Sequence, residues 1–333
     1  MFGIKETLGE KKMGLMIASF AAVYLIWGST YLAIKYAIET LPTFLMAGTR
    51  FLVAGSILYA ISRFSRVYEK PQMRQWRTSL VVGALLLGIG NGAVVMAEHY
   101  ISSGLAALLV ATLPFWMVLL GWMFMGTGRP NLKVTSGLLL GFVGVAMLIV
   151  GRENIAGGAD GGAIFGIACV IFATLGWAIG SLYGSRAPSV SSPVQMAGMQ
   201  MLCGGALLMA TSLITGEWAT FDPRSVSMNS WLALAYLIVF GAIAAFSAFA
   251  WLLKNSSPAA ISTYAYVNPL IAVFLGWVIA GESMSIQMLV GAAIIVGSVA
   301  LITSQKKGPP PMKEDTQTPD KTLPPIGRPQ PAR

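Results

Sequence analysis

The stretch Gly104–Met125, GLAALLVATLPFWMVLLGWMFM, runs for 22 residues without a charged side chain. At about 1.5 Å of helical rise per residue it reaches ~33 Å, enough to cross the ~30 Å hydrocarbon core of a bilayer. Nine further stretches have the same character: Met13–Ile34, Thr43–Ile61, Ser79–Ala97, Val134–Val150, Ala163–Leu182, Val194–Ile214, Trp231–Leu253, Ala259–Ala280 and Ile286–Thr303. Strands of a membrane barrel would alternate in character over about ten residues, and these runs are continuous. The expected fold is an all-α integral membrane protein with ten transmembrane helices.

Composition agrees. Of 333 residues, 56% are hydrophobic and 37 more are glycine, while 11% are charged. A soluble domain carries about 25% charge, and the mean hydropathy here is +0.71. Two cysteines, Cys169 and Cys203, lie inside apolar runs, and there is one histidine. No disulfide framework, zinc site or other metal centre is expected from that set. The apolar run after Lys5, Lys11 and Lys12 exceeds a signal-peptide core and lacks a cleavage site, so it reads as the first span.

The basic residues set the orientation. With the N-terminus inside, 18 of the 22 Lys and Arg lie on the cytoplasmic side, and only Lys35, Arg152 and Arg224 lie outside. Both termini are therefore expected in the cytoplasm, and the net charge of +9 reports topology rather than nucleic-acid binding. The expected divisions are a cytoplasmic N-terminus (1–12), a first five-helix unit (13–150), a second (163–303) and a disordered Pro-rich cytoplasmic tail (304–333). Eight of the seventeen prolines fall in that tail, which lacks the apolar content to form a core.

The two units resemble each other. Pro114/Pro269, Gly121/Gly276, Trp122/Trp277 and Gly126/Gly281 each lie 155 residues apart, and Trp27/Trp177 lie 150 apart. Five crossings per unit is an odd number, so the second copy enters the membrane from the opposite side. Inverted repeats of this kind are common in secondary transporters, whose substrate sites lie near the midplane between the repeats. Pro114 and Pro269 each remove an amide donor and crowd the carbonyls of Val110 and Ala265, so they read as helix bends.

Polar groups inside apolar spans are the candidate site. Arg50 sits well within the second span, where a charge costs at least ~2.5 kcal/mol unless it faces protein or water. It reads either as an anchor for an anionic substrate group or as a structural ion paired with a carboxylate. Asn91, Gln195, Gln200, Tyr264 and Asn268, with Tyr31, are expected to face the bundle interior, as interhelical hydrogen bonds or substrate contacts. Trp27 and Trp177 read as core packing or as stacking surfaces for a solute. Glu98 and His99 close the third span, either as a solvated helix end or as a proton relay. Glu282 reads as an interface or gate residue at the outer face.

The chain also resembles the drug/metabolite transporter superfamily in its ten-helix EamA branch, with the strongest likeness to YedA-like permeases. The likeness covers residues 13–303 and is carried by Tyr24-Leu-Ile-Trp-Gly-Ser-Thr-Tyr31, Ala47-Gly-Thr-Arg50, Gly90-Asn91-Gly92, Ala97-Glu98-His99, the Pro114 helix, Tyr183-Gly-Ser-Arg186 and Tyr264-Ala-Tyr-Val-Asn-Pro269 with Gly281-Glu282. It implies a bacterial inner-membrane permease, usually an exporter of metabolites, amino acids or toxic compounds, with a central cavity. One departure is Thr127, which stands where the family often has an acidic residue; Glu282 keeps that acid in the second half.

No phosphate-binding Gly-x-x-x-x-Gly-Lys-Ser/Thr loop and no intramembrane aspartate occur, so neither a self-contained ATP-driven pump nor a membrane-embedded enzyme is expected, and no cofactor. The expected function is a secondary transporter that exports small metabolites, amino acids or drug-like compounds across the bacterial inner membrane by alternating access, with proton entry through Glu98 as the candidate coupling, and with the bilayer and a small-molecule substrate as partners. An importer, uniporter or channel-like facilitator is the alternative, and a homodimer is left open.

Overall fold

In a computed structural model, residues 2–126, 129–150, 161–256 and 264–303 are described. Thr127, residues 258–263 and the expected tail from residue 304 lie outside them, as do the side chains of Lys254 and Tyr266. Every regular element among the described residues is helical.

The helices are α1 (Phe2–Ala37), α2 (Thr43–Arg63), α3 (Met73–Gly83), α4 (Gly92–Ala97), α5 (Ser103–Val110), α6 (Leu113–Met125), α7 (Leu132–Val150), α8 (Gly161–Gly184), α9 (Pro193–Ile214), the single turn α10 (Glu217–Thr220), α11 (Met228–Tyr236), α12 (Ala245–Asn255), α13 (Tyr264–Ala280) and α14 (Ile286–Thr303). Two π-helical segments, Ala84–Asn91 and Leu237–Ala244, join α3 to α4 and α11 to α12. Seven helical runs are long and apolar enough to cross a membrane, and three shorter apolar helices accompany them. Large apolar side chains cover the outside, with Ile214 at 86% and Phe124 at 75% exposure. Lipid solvates such a surface; water does not.

Packing interleaves the two sequence halves. Helix α2 runs along α9 and α7 along α14, which pairs equivalent elements across the repeat. Helix α1 packs on α11, α12 and α13 of the second half, while α8 packs on α3 to α6 of the first. The first helix of each half is therefore lodged in the other.

Glycines set the closeness of the central crossing. A Cβ at Gly48 would lie 2.9 Å from the Met209 amide, and one at Gly205 would lie 2.8 Å from the Leu52 amide. The backbones of α2 and α9 thus touch where a side chain would hold them apart. The repeat pair Gly126 and Gly281 also shares a backbone role: φ is +65° and +63°, the left-handed region that ends a helix at little steric cost to glycine.

The two prolines differ. The span Ser103–Met125 is interrupted at Ala111–Thr112, beside the Val110 carbonyl that the missing Pro114 amide would have met, and Pro114 lies in the first turn of α6. Pro269 instead lies inside α13, which is helical from Tyr264 to Ala280.

Candidate functional site

A cavity of about 350 Å³ lies between the interleaved halves. Of the residues singled out in the sequence, Trp27, Tyr31, Arg50, Asn91, Trp177, Gln200, Tyr264 and Asn268 line it. They come from α1, α2, the first π segment, α8, α9 and α13, so neither half encloses the cavity alone.

Both π segments reach it. Leu86, Leu87 and Asn91 come from the first, and Gly241 and Ala242 from the second. The repeat tryptophans meet these segments crosswise. The Trp27 indole N–H donates to the Gly241 carbonyl at 3.2 Å, and a Cβ on Gly90 would lie 3.3 Å from the Trp177 ring. A π turn carries one extra residue per hydrogen-bonded ring, recurs at functional sites and leaves no distinctive sequence pattern, so these segments were not legible beforehand.

The wall beside Trp27 is aromatic. Its ring centroid lies 5.1 Å from Phe249, 5.4 Å from Tyr264 and 6.4 Å from Phe246. Phe246 and Phe249 were absent from the candidates because nothing distinguishes them from lipid-facing phenylalanines in an apolar run.

Gln195 lies apart from the cavity. It is completely buried; its Oε1 accepts from the Glu69 amide at 3.2 Å and its Nε2 donates to the Glu69 carbonyl at 2.6 Å. A side-chain amide bonded twice to one backbone residue is a tie for the loop before α3, and it corrects the expectation of a cavity residue.

Several charged and polar groups near the span ends are firmly held. The Glu282 carboxylate accepts from Lys35 Nζ at 2.8 Å, from the Ser103 amide and Oγ at 2.9 Å each, and from the Gly104 amide at 3.2 Å. It therefore caps the start of α5 while bridging to α1. Burial would raise its pKa, but the Lys35 and Ser103 hydrogen bonds outweigh that and hold it below the ordinary 4.5. Glu217 does the same for α2, accepting from the Phe44 amide at 3.1 Å and the Leu45 amide at 2.8 Å. The residue before α2 is Pro42, which offers no side-chain cap, so a carboxylate from elsewhere meets the exposed amides. Glu217 was missed; its one signal is an isolated acid just after the apolar run of α9. His99 bonds Thr43 Oγ1 through Nε2 at 2.8 Å. Burial pushes its pKa below 6.5 against the opposing pull of Glu217.

Other groups carry buried atoms without a hydrogen-bond partner. Arg50 is 6% exposed and its Nε lacks a partner; its guanidinium carbon stands 4.8 Å from the Phe51 ring centroid. Glu98 is 5% exposed with neither carboxylate oxygen bonded, and Asn268 Oδ1 is unpaired at 8% exposure. Among the described residues the one ion pair is Lys35–Glu282, so Glu98 does not salt-bridge Arg50. No group of His, Cys, Asp and Glu suited to a metal occurs among the described residues.

Membrane-length apolar helices wrapped round a polar and aromatic cavity define a polytopic helical membrane protein. Residues 13–150 and 164–304 match the EamA-like transporter family. The chain belongs to that family and is a membrane transporter. It is 38% identical over 294 residues to a protein of Escherichia coli K12 named an uncharacterized inner membrane transporter, YedA, covering 87% of this chain and 91% of that one. It is 25% identical over 292 residues to the uncharacterized transporter YvbV of Bacillus subtilis 168, covering 86% and 91%. A solved crystal structure superposes with a TM-score of 0.59 at 20% identity, covering 88% of this chain and 97% of the other, and shares the fold.

Proposed function

We propose that the protein is a secondary transporter that exports small organic metabolites, amino acids or drug-like compounds across the bacterial inner membrane. It has ten spans in two inverted five-helix repeats with both termini in the cytoplasm. The observation that carries this reading is the cavity, whose lining comes from both repeats and whose buried polar atoms await partners. The basic-residue bias and the inner-membrane name of the E. coli relative support the location.

The interleaving shapes the mechanism. Because α1 is lodged among α11 to α13, and α8 among α3 to α6, the units that rock are these crossed groups rather than the sequence halves. In the proposed orientation Lys35, Glu217 and Glu282 lie at the outer end, and their bonds close it. Cavity residue Ser181 lies toward the opposite, cytoplasmic end of α8, so this conformation is the one that loads from inside. Opening outward breaks the Lys35–Glu282 tie. Glu98 is the coupling residue: it takes up a proton from outside when the outer end hydrates, keeps it on closure because an ionised carboxylate buried without donors is costly, and gives it up toward the cytoplasm before the next export cycle, so that proton entry drives export.

The test compares the medium and contents of cells expressing the wild type with cells expressing a correctly inserted Trp27→Ala/Tyr264→Ala variant, by untargeted mass spectrometry. A solute enriched outside only with the wild type is expected. Identical profiles with insertion verified would contradict export.

A further inference from the structure

We infer that the cavity selects organic monoanions, a carboxylate carried on a flat apolar body, in preference to the matching neutral compounds and cations. The inference rests on the cavity being the substrate site.

Among the described residues, Arg50 is the one lining the cavity that carries a full charge at neutral pH. No aspartate or glutamate among them joins the lining, and Glu98 lies outside it. A buried guanidinium with an unpartnered Nε and no carboxylate within ion-pair distance among the described residues, Glu98 acting on it only from further off, is an expensive arrangement. A ligand carboxylate relieves it, since guanidinium and carboxylate form parallel charge-assisted hydrogen bonds. An ammonium ligand would instead meet a like charge with no acid in the lining to receive it.

The rest of the ligand faces the opposite chemistry. Trp27, Phe246, Phe249 and Tyr264 form an aromatic cluster of edge-to-face and tilted contacts on one wall. Such a wall accepts a ring or a short apolar chain through burial of its surface. At about 350 Å³ the space is near the lower end of the ~300–1,000 Å³ typical of small-molecule pockets. One ring with a short acidic arm suits it.

The test titrates the full-length protein in detergent micelles by calorimetry, with empty micelles as the blank, using 3-phenylpropionate, 3-phenylpropanamide and 3-phenylpropylammonium. These share one body and differ in charge. The acid is expected to bind at least about tenfold more tightly than the amide, and the ammonium more weakly still. Arg50→Gln is expected to bring the acid down to the affinity of the amide, whereas Trp27→Ala weakens both together. If Arg50→Gln does not fold, the ranking of the three probes on the wild type still decides. An amide that binds as well as the acid, a preference for the ammonium, or no binding by any probe overturns the anion assignment. Where the Trp27→Ala effect survives such a result, the cavity remains the binding site. Binding indifferent to both variants overturns the cavity reading as well.

Discussion

The span ends and the middle of this molecule treat charge in opposite ways. At one end, Glu282 is met by four donors from Lys35, Ser103 and Gly104, and Glu217 by the amides of Phe44 and Leu45. Around the cavity, Arg50 Nε and Asn268 Oδ1 have no partner, and neither does either oxygen of nearby Glu98. Groups that hold helices together are satisfied within the fold. Groups proposed to serve a passing solute or proton are left incomplete, as are Trp116 Nε1 and Ser212 Oγ away from the cavity.

That contrast is open to direct attack. Arg50→Leu is expected to cut transport of the native solute by at least about tenfold while raising thermal stability, because replacing an uncompensated buried charge by a hydrophobic residue is neutral or stabilising. A fall in melting temperature with transport retained would make Arg50 structural. Glu282→Gln is expected to do the reverse, lowering stability by about 1.5–3 kcal/mol with the cavity left able to bind, since charge-assisted hydrogen bonds are lost. It also changes acid sensitivity. The folded pKa of Glu282 lies below 4.5, so its contribution is complete above about pH 4.5 and is lost as pH falls through the lower folded value. The melting curve of the variant should be flatter than that of the wild type across that window, and parallel curves would remove Glu282 from the tie.

Gly205→Ala places a methyl group 2.8 Å from the Leu52 amide. A loss of about 1–3 kcal/mol is expected from overpacking the α2–α9 crossing, read as thermal stability in detergent. An unchanged value would mean that the crossing gives way easily. The smallest change in downhill rate belongs to Glu98→Gln, which should retain flux down a substrate gradient near neutral pH but lose its dependence on pH. A profile with the wild-type slope would exclude Glu98 as the coupling acid.

Much of the architecture was legible beforehand because it follows from length and apolarity. A run such as Gly104–Met125 must be helical in lipid, where every backbone amide needs a partner within its own segment. The pairing of Gly126 with Gly281 was visible as a repeat, and both end helices in the left-handed conformation. What stayed hidden concerns neighbours. An apolar helix does not state which helix it packs against, so the lodging of α1 and α8 in opposite halves was unreadable. Pro114 and Pro269 look alike in sequence, yet one opens a helix and the other lies within one. Gln195 and Gln200 are likewise both polar residues on α9, but only Gln200 lines the cavity, because the loop at Glu69 claims Gln195. The π segments left no pattern to read.

The most direct measurement is side-specific labelling of Gln200→Cys, in a background with Cys169 and Cys203 replaced by alanine, using a membrane-impermeant maleimide applied to each face of the membrane. In the proposed orientation, with the outer end tied by Lys35–Glu282, reaction is expected from the cytoplasmic face, and adding Glu282→Gln should shift it toward the outer face. Equal outer-face labelling with and without Glu282→Gln would contradict a cavity sealed at one end by that tie.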